Sequence, residues 1–187
     1  MPRIVAGEAG GQRLAVPAGE RTRPTSDRTR EALFAALGAL VDLDGARVLD
    51  LYAGSGAVGL EAVSRGAAEA VLVDADARAA ATAAANAAAL GLADRVTVRR
   101  DRVERVLAAG PAGGQVDLVF ADPPYALTGA DLDAALALLA RHEWLAPGAV
   151  LVVERASRGQ GPTWPEGVRP VRSRRYGEGT LWYGQVS

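Results

Sequence analysis

From residue 46 to residue 154, short apolar runs alternate with helix-periodic segments, and nothing else in the chain constrains its fold as strongly. Residues 48–51 (VLDL), 70–74 (AVLVD), 96–99 (VTVR), 116–121 (VDLVFA) and 149–154 (AVLVVE) read as strands, with helices at 57–65, 77–90, 102–109 and 130–141 between them. Strands this short and this apolar are buried on both faces, which calls for a parallel sheet with right-handed helical crossovers. The end of the chain departs from that order. Residues 168–176 and 180–186 flank Gly177-Glu178-Gly179, the pattern of an antiparallel hairpin. The expected fold is an α/β, mostly parallel sheet that ends in an antiparallel hairpin.

Ahead of this core, residues 3–7 (RIVAG) and 12–16 (QRLAV) surround Gly10-Gly11 and read as a small β-hairpin. Pro17 to Pro24 is a linker, and Thr25-Ser26-Asp27 offers N-cap chemistry to a helix carrying Ala32, Leu33, Leu37 and Leu40, expected to end near Val41. The expected division is an N-terminal extension over 1–22 and one α/β domain over 23–187, a single-domain length. The alanines of 77–90 need no functional role, because alanine is the strongest helix former.

The chain has no cysteine and a single histidine, His142, so neither a disulfide framework nor a Cys- or His-based metal site is expected. No apolar run approaches the roughly 20 residues that span a bilayer. The first residues lack the basic and apolar regions of a signal peptide. A cytoplasmic protein, without metal or membrane association, fits these features. The net charge of −1 is uneven: residues 46–154 carry nine Arg against fourteen acids, and residues 155–187 six Arg against two. That basic end, with Arg172, Arg174 and Arg175 close together, is compatible with RNA binding. It is equally compatible with a solvated charged surface.

The loop Asp50-Leu51-Tyr52-Ala53-Gly54-Ser55-Gly56-Ala57-Val58-Gly59 follows the first core strand and opens a helix. Gly54, Gly56 and Gly59 fit a G-x-G-x-x-G fingerprint, and Asp74, 20 residues beyond Gly54, can accept ribose hydroxyls. Alone, this pattern admits a nicotinamide dinucleotide or a merely structural turn. Asp50 turns the reading toward S-adenosylmethionine. A carboxylate four residues before the first glycine suits a methionine-type ammonium and is unhelpful beside a pyrophosphate. Moreover, the chain has no room for the substrate domain of a dehydrogenase. Asp101, just after the third strand, is placed to accept from an adenine amine or to cap the next helix. Tyr52 and Arg102, in the same two loops, complete the expected cofactor set.

Asp122-Pro123-Pro124-Tyr125 follows the fourth strand, at the carboxyl edge where open α/β sheets bind ligands. Consecutive prolines fix φ and restrict their neighbour, so they hold the Asp122 carboxylate and nearby carbonyls in a rigid arc. The amino group of a base is a poor nucleophile because its lone pair is delocalised into the ring. Accepting its two N–H bonds, at Asp122 and at the Pro123 carbonyl, favours a more pyramidal nitrogen. Tyr125 supplies a face on which the base can stack. Catalysis is then positioning, with Asp122 stabilising the ammonium that forms.

At this point the chain resembles a known family, the bacterial 16S rRNA (guanine-N2) methyltransferases called RsmD. The resemblance runs from Arg3-Ile4-Val5-Ala6-Gly7 through Arg23-Pro24-Thr25-Ser26-Asp27-Arg28-Thr29-Arg30-Glu31-Ala32-Leu33-Phe34, the glycine loop and Gly59-Leu60-Glu61-Ala62 to Asp122-Pro123-Pro124-Tyr125. It implies a class I methyltransferase (Rossmann-like) domain, S-adenosylmethionine as methyl donor, and guanine N2 of 16S rRNA in assembled or nearly assembled 30S particles as target. It also implies that Thr25 lies near the methionine end of the cofactor, and Arg23, Arg28 and Arg30 near cofactor or RNA. A monomer is expected. Two other functions fit less well: an adenine-N6 or cytosine-N4 methyltransferase, for which no target-recognition domain is present, and a non-catalytic RNA-binding factor, which would not need Asp50, Asp74 and Asp122 together.

Overall fold

The computed structural model describes residues 1–18 and 26–187. Seven strands form one sheet: β1 (Arg47–Leu51), β2 (Glu69–Asp74), β3 (Val96–Arg100), β4 (Val116–Ala121), β5 (Leu145–Ala156), β6 (Val168–Tyr176) and β7 (Gly179–Val186). Their spatial order is β3-β2-β1-β4-β5-β7-β6. The first five run parallel, while β7 lies antiparallel between β5 and β6, as the hairpin pattern predicts.

Among the described residues five α-helices accompany the sheet: α1 (Asp27–Leu37), α2 (Ala57–Ser64), α3 (Ala77–Ala89), α4 (Val103–Ala108) and α5 (Gly129–Arg141). The period-2 alternation of the strands splits the core in two. Val48, Leu118, Phe120, Val150 and Val152 face α1, α2 and α3, while Leu49, Leu51, Val119, Leu151 and Val153 face α4 and α5. The near-continuous apolar runs in the sequence are the consequence.

Two elements differ in extent from the sequence reading. Helix α1 stops at Leu37 rather than near Val41, because Gly38 follows and the N–H groups of Leu40 and Val41 both turn back to the Leu37 carbonyl (2.9 Å each). Strand β5 begins at Leu145, not 149. Pro147 and Gly148 hide its first residues from a pattern search, and the pairing with β4 shifts register between Val116 and Leu118 to accommodate them.

The N-terminal segment forms one antiparallel bridge, Arg3 to Arg13, around a turn at residues 6–11. Its apolar residues Ile4, Ala9 and Leu14 are buried in the core beside α1 and α2. Polar contacts clamp it to α2. The Glu61 carboxylate accepts from Val5 N (2.8 Å) and Ala6 N (3.0 Å), and Ser64 Oγ accepts from Ala9 N (2.9 Å) and donates to Ala6 O (2.7 Å). Gly7 (φ +85°) lies so close to Ser64 that a Cβ there would meet the Ser64 carbonyl oxygen at 1.8 Å. The expected boundary between residues 22 and 23 lies outside the described residues.

Candidate active site

Strand alternation sets three carboxylates on one face of the sheet at its carboxyl edge. Asp50 on β1 is level with Phe120 on β4 and, through it, with Val152 on β5. Asp122 and Glu154 lie two residues further along, on the same side. All three line a cavity of about 760 Å³, together with Tyr52, Gly54, Asp74, Arg102, Pro123, Pro124 and Tyr125. The glycine loop and the proline corner thus open into one space.

The glycines divide their work. Gly56 (φ +82°) starts α2, and a Cβ there would come within 2.8 Å of Leu72 Cδ1. At Gly59 a Cβ would meet Leu72 Cδ2 at 2.2 Å, while the Gly59 N–H donates to Asp50 Oδ2 at 3.0 Å. These two serve close packing of α2 on the sheet. Gly54 differs: its φ is +57° and nothing lies within 4 Å of a Cβ built on it. Its backbone borders open cavity, where a ligand can approach.

Asp74 braces this loop, accepting from Gly54 N (2.8 Å) with one oxygen and from Asp76 N (2.9 Å) with the other. Each oxygen retains a lone pair for a ribose hydroxyl. Asp76 accepts from Ala79 N (2.9 Å) and so caps α3. Burial pushes the Asp50 carboxyl up to about 8, with the nearby Asp74 charge adding to the effect and the Gly59 N–H opposing it. A cation entering beside Asp50 would bring the carboxyl back toward its anion. Tyr52 occupies a left-handed backbone conformation (φ +57°), and burial, then the Glu104 charge, pushes its phenol up to about 12.

Asp122 stands at the far wall of the cavity. Its carboxyl is raised well above the usual range by burial, then by the negative charges of Glu154 and Asp50, with Arg155 opposing. Pro123 is buried and Pro124 exposed, and Tyr125 projects with 72% of its surface accessible. Leu127 N donates to Pro124 O (2.9 Å) and Arg155 Nη2 donates to Leu127 O (2.9 Å), closing the loop behind the prolines.

Other expected residues fall differently. Asp101 does not line the cavity; it accepts from Arg102 N (2.8 Å), and the N-cap of α4 is Arg102. Arg23 and Thr25 lie outside the described residues, whereas Ser26 and Thr29 from the start of α1 do line the cavity. Arg28 is exposed. The expectation that Arg30 contacts RNA is overturned. Arg30 is 0% exposed, its guanidinium paired with Asp27 Oδ1 (2.9 Å) and Glu61 Oε1 (3.2 Å) and donating to Arg3 O. It ties α1, α2 and the N-terminal segment together. Arg172, Arg174 and Arg175 are exposed on β6 but not as one patch. Arg172 and Arg174 cover the rings of Tyr183 (5.6 Å) and Tyr176 (5.5 Å) on the α1 side, and Arg175 points to the other side, as strand alternation requires.

Two polar residues carry work that no motif announced. Asn86, within the alanine-rich helix α3, donates to Ala15 O and Ser55 O (3.0 Å each) and accepts from Ala15 N (2.9 Å). It joins the N-terminal segment to the glycine loop, just before Val16, Pro17 and Ala18 form one wall of the cavity. Glu154 stands beside Asp122. A lone asparagine among alanines, and an acid closing an apolar strand, were the signals available.

Comparison with known proteins gives this geometry its context. Residues 2–185 match the model of the family described as conserved hypothetical protein 95. The chain is 36% identical over 163 residues, 87% of its length and 79% of the relative's, to an Escherichia coli (strain K12) protein named ribosomal RNA small subunit methyltransferase D. It superposes on the solved Escherichia coli protein yhhF with a TM-score of 0.85 at 33% identity, covering 99% of this chain and 97% of that one. It also shares its fold with a Synechocystis magnesium protoporphyrin IX methyltransferase solved with bound SAM (TM-score 0.66, 17% identity, covering 86% and 79%).

Proposed function

The chain belongs to the conserved hypothetical protein 95 family, the RsmD family, and on that premise we propose that it is an rRNA methyltransferase acting on the exocyclic N2 amine of a guanine in 16S rRNA. The observation that carries this reading is the shared cavity, where the glycine loop and Asp122-Pro123-Pro124-Tyr125 face each other across about 760 Å³.

S-adenosylmethionine supplies, when bound, an electrophilic methyl on a positively charged sulfur. The residues present fit it. Open space at Gly54 receives the ligand, Asp50 offers an anion for its ammonium, and Asp74 has lone pairs left for its ribose. On the opposite wall, Asp122 and the Pro123 carbonyl accept the two N–H bonds of the target amine and hold its nitrogen toward the loop. Tyr125 stacks the base. Asp122 stabilises the positive charge that develops on the nitrogen. Its raised affinity for a proton also suits it to take the one the nitrogen releases.

The Asp122 carboxylate favours guanine, whose N1–H lies beside its N2–H as a second donor. Adenine and cytosine place a ring acceptor beside the amine and would turn it toward the carboxylate. The assembled or nearly assembled 30S particle is the proposed substrate, and the test compares it with other nucleic acids. Labelled methyl transfer to hypomethylated 30S particles, naked 16S rRNA and DNA, followed by nucleoside analysis, should yield N2-methylguanosine from the particles. Methyladenosine or methylcytidine would overturn the reading.

A further inference from the structure

A second cavity, of about 920 Å³, opens beyond Tyr125 on the side of the sheet that carries α5, and methyl transfer as described makes no use of it. Tyr125 and Glu178 line both cavities, so the two meet at the exposed phenol ring. Three arginines face the second one: Arg155 from β5, Arg158 from the turn after β5, and Arg175 from β6.

Arg155 follows Leu151 and Val153 in strand alternation and so projects to the α5 side. Its Nη2 is committed to Leu127 O at 2.9 Å, but its Nη1 is buried and has no hydrogen-bond partner among the described residues. A buried, charged N–H without an acceptor is costly to a fold and is rarely kept without a partner arriving from outside. Arg158 and Arg175 are exposed on the rim. Against these three guanidinium groups the cavity lining holds two carboxylates, Asp133 and Glu178, which leaves positive charge in excess. Guanidinium forks match the oxygens of a phosphate in geometry as well as charge.

We infer that this cavity is a subsite for a backbone phosphodiester of the RNA strand, next to the nucleotide whose base enters the methyl-transfer cavity. The assignment rests on the rRNA reading above. With the target base stacked on Tyr125, its neighbour along the strand passes over the edge of the same ring into the cavity that Arg155, Arg158 and Arg175 line. The subsite is sequence-independent. It holds the strand in register while Asp122 reads the base.

The test uses the full chain carrying Arg158→Ala with Arg175→Ala, two exposed positions whose loss leaves the core intact, and separately Arg155→Gln. With hypomethylated 30S particles, the double variant should raise KM at least tenfold while kcat and cofactor affinity stay within twofold. The slope of log affinity against log salt should become shallower by about one, the loss of one phosphate contact. Unchanged KM and salt slope in an active double variant would overturn the subsite. Orthophosphate and the dinucleotide UpU distinguish the sources of the anion. If orthophosphate binds by calorimetry while both variants keep wild-type KM, the cavity is a free-phosphate pocket and the strand assignment falls. If the wild type methylates no RNA, the proposed function fails by itself. The subsite then stands only if UpU binds the wild type and is lost in the double variant, and falls if UpU does not bind.

Discussion

The two walls of the active cavity are built on opposite principles. On the glycine-loop side the key carboxylates already have backbone partners: Asp74 holds Gly54 and Asp76, and Asp50 holds Gly59. Among the described residues on the proline side, the Asp122 carboxylate accepts no hydrogen bond, Tyr125 projects into solvent, and Arg155 keeps a buried nitrogen without a hydrogen-bond partner. One wall is preorganised by the protein itself. The other keeps the Asp122 carboxylate and the Tyr125 ring open to what arrives. A ligand of constant shape rewards the first arrangement, whereas a base delivered by a large substrate needs acceptors that no internal donor has occupied.

Substitutions should separate the walls, and the largest effect belongs to the unpartnered side. Asp122→Ala should lower the rate of methyl transfer by about 10²–10³-fold, the usual scale for losing one group that stabilises charge in the transition state, with calorimetric cofactor affinity within twofold of wild type. Equal loss of both would mean that the walls are not independent. Next comes packing. Gly59→Ala should destabilise the protein by about 1–3 kcal/mol in denaturant unfolding, since its Cβ has nowhere to go. Gly54→Ala meets no atoms and should cost about 1–2 kcal/mol through its backbone conformation alone. Gly54→Ala more damaging than Gly59→Ala would refute this division of labour.

Tyr125→Ala should weaken RNA binding by about 1–3 kcal/mol through lost stacking, and Tyr125→Phe should restore it. If phenylalanine fails to rescue, the hydroxyl rather than the ring is what the substrate meets. The smallest effect is a pH dependence. Because the Asp50 carboxyl is raised to about 8, it is protonated below that pH in the ligand-free protein and gains its charge as pH rises through it. Cofactor affinity should therefore increase from pH 6 to pH 8, by no more than about tenfold per unit, and Asp50→Asn should flatten the profile. A profile that stays steep in Asp50→Asn assigns the titration to another group.

The sheet order was legible because each strand from Val48 to Glu154 is short, apolar and bounded by helical periodicity, and few topologies accept that order. The glycine loop and the proline corner were legible because both depend on backbone, and Gly and Pro write backbone conformation directly into sequence. Arg30 was misjudged because an arginine in a charged helix looks the same whether it faces solvent or a buried glutamate. Only the packing of α1 against α2 brings Glu61, 31 positions later, within reach. Asn86 was illegible for the same reason, since its partners Ala15 and Ser55 lie far away in the chain, and Glu154 comes beside Asp122 only through the pairing of β4 with β5.

Local chemistry is thus written in the chain: where strands run, where the backbone must turn, and which two motifs must meet at the carboxyl edge. Tertiary structure alone decided which charges are spent on holding the N-terminal segment and the loops together and which remain open to a ligand. A charged side chain takes its role from what lies within about 3 Å of it, and that neighbourhood is assembled by folding, not by adjacency in sequence.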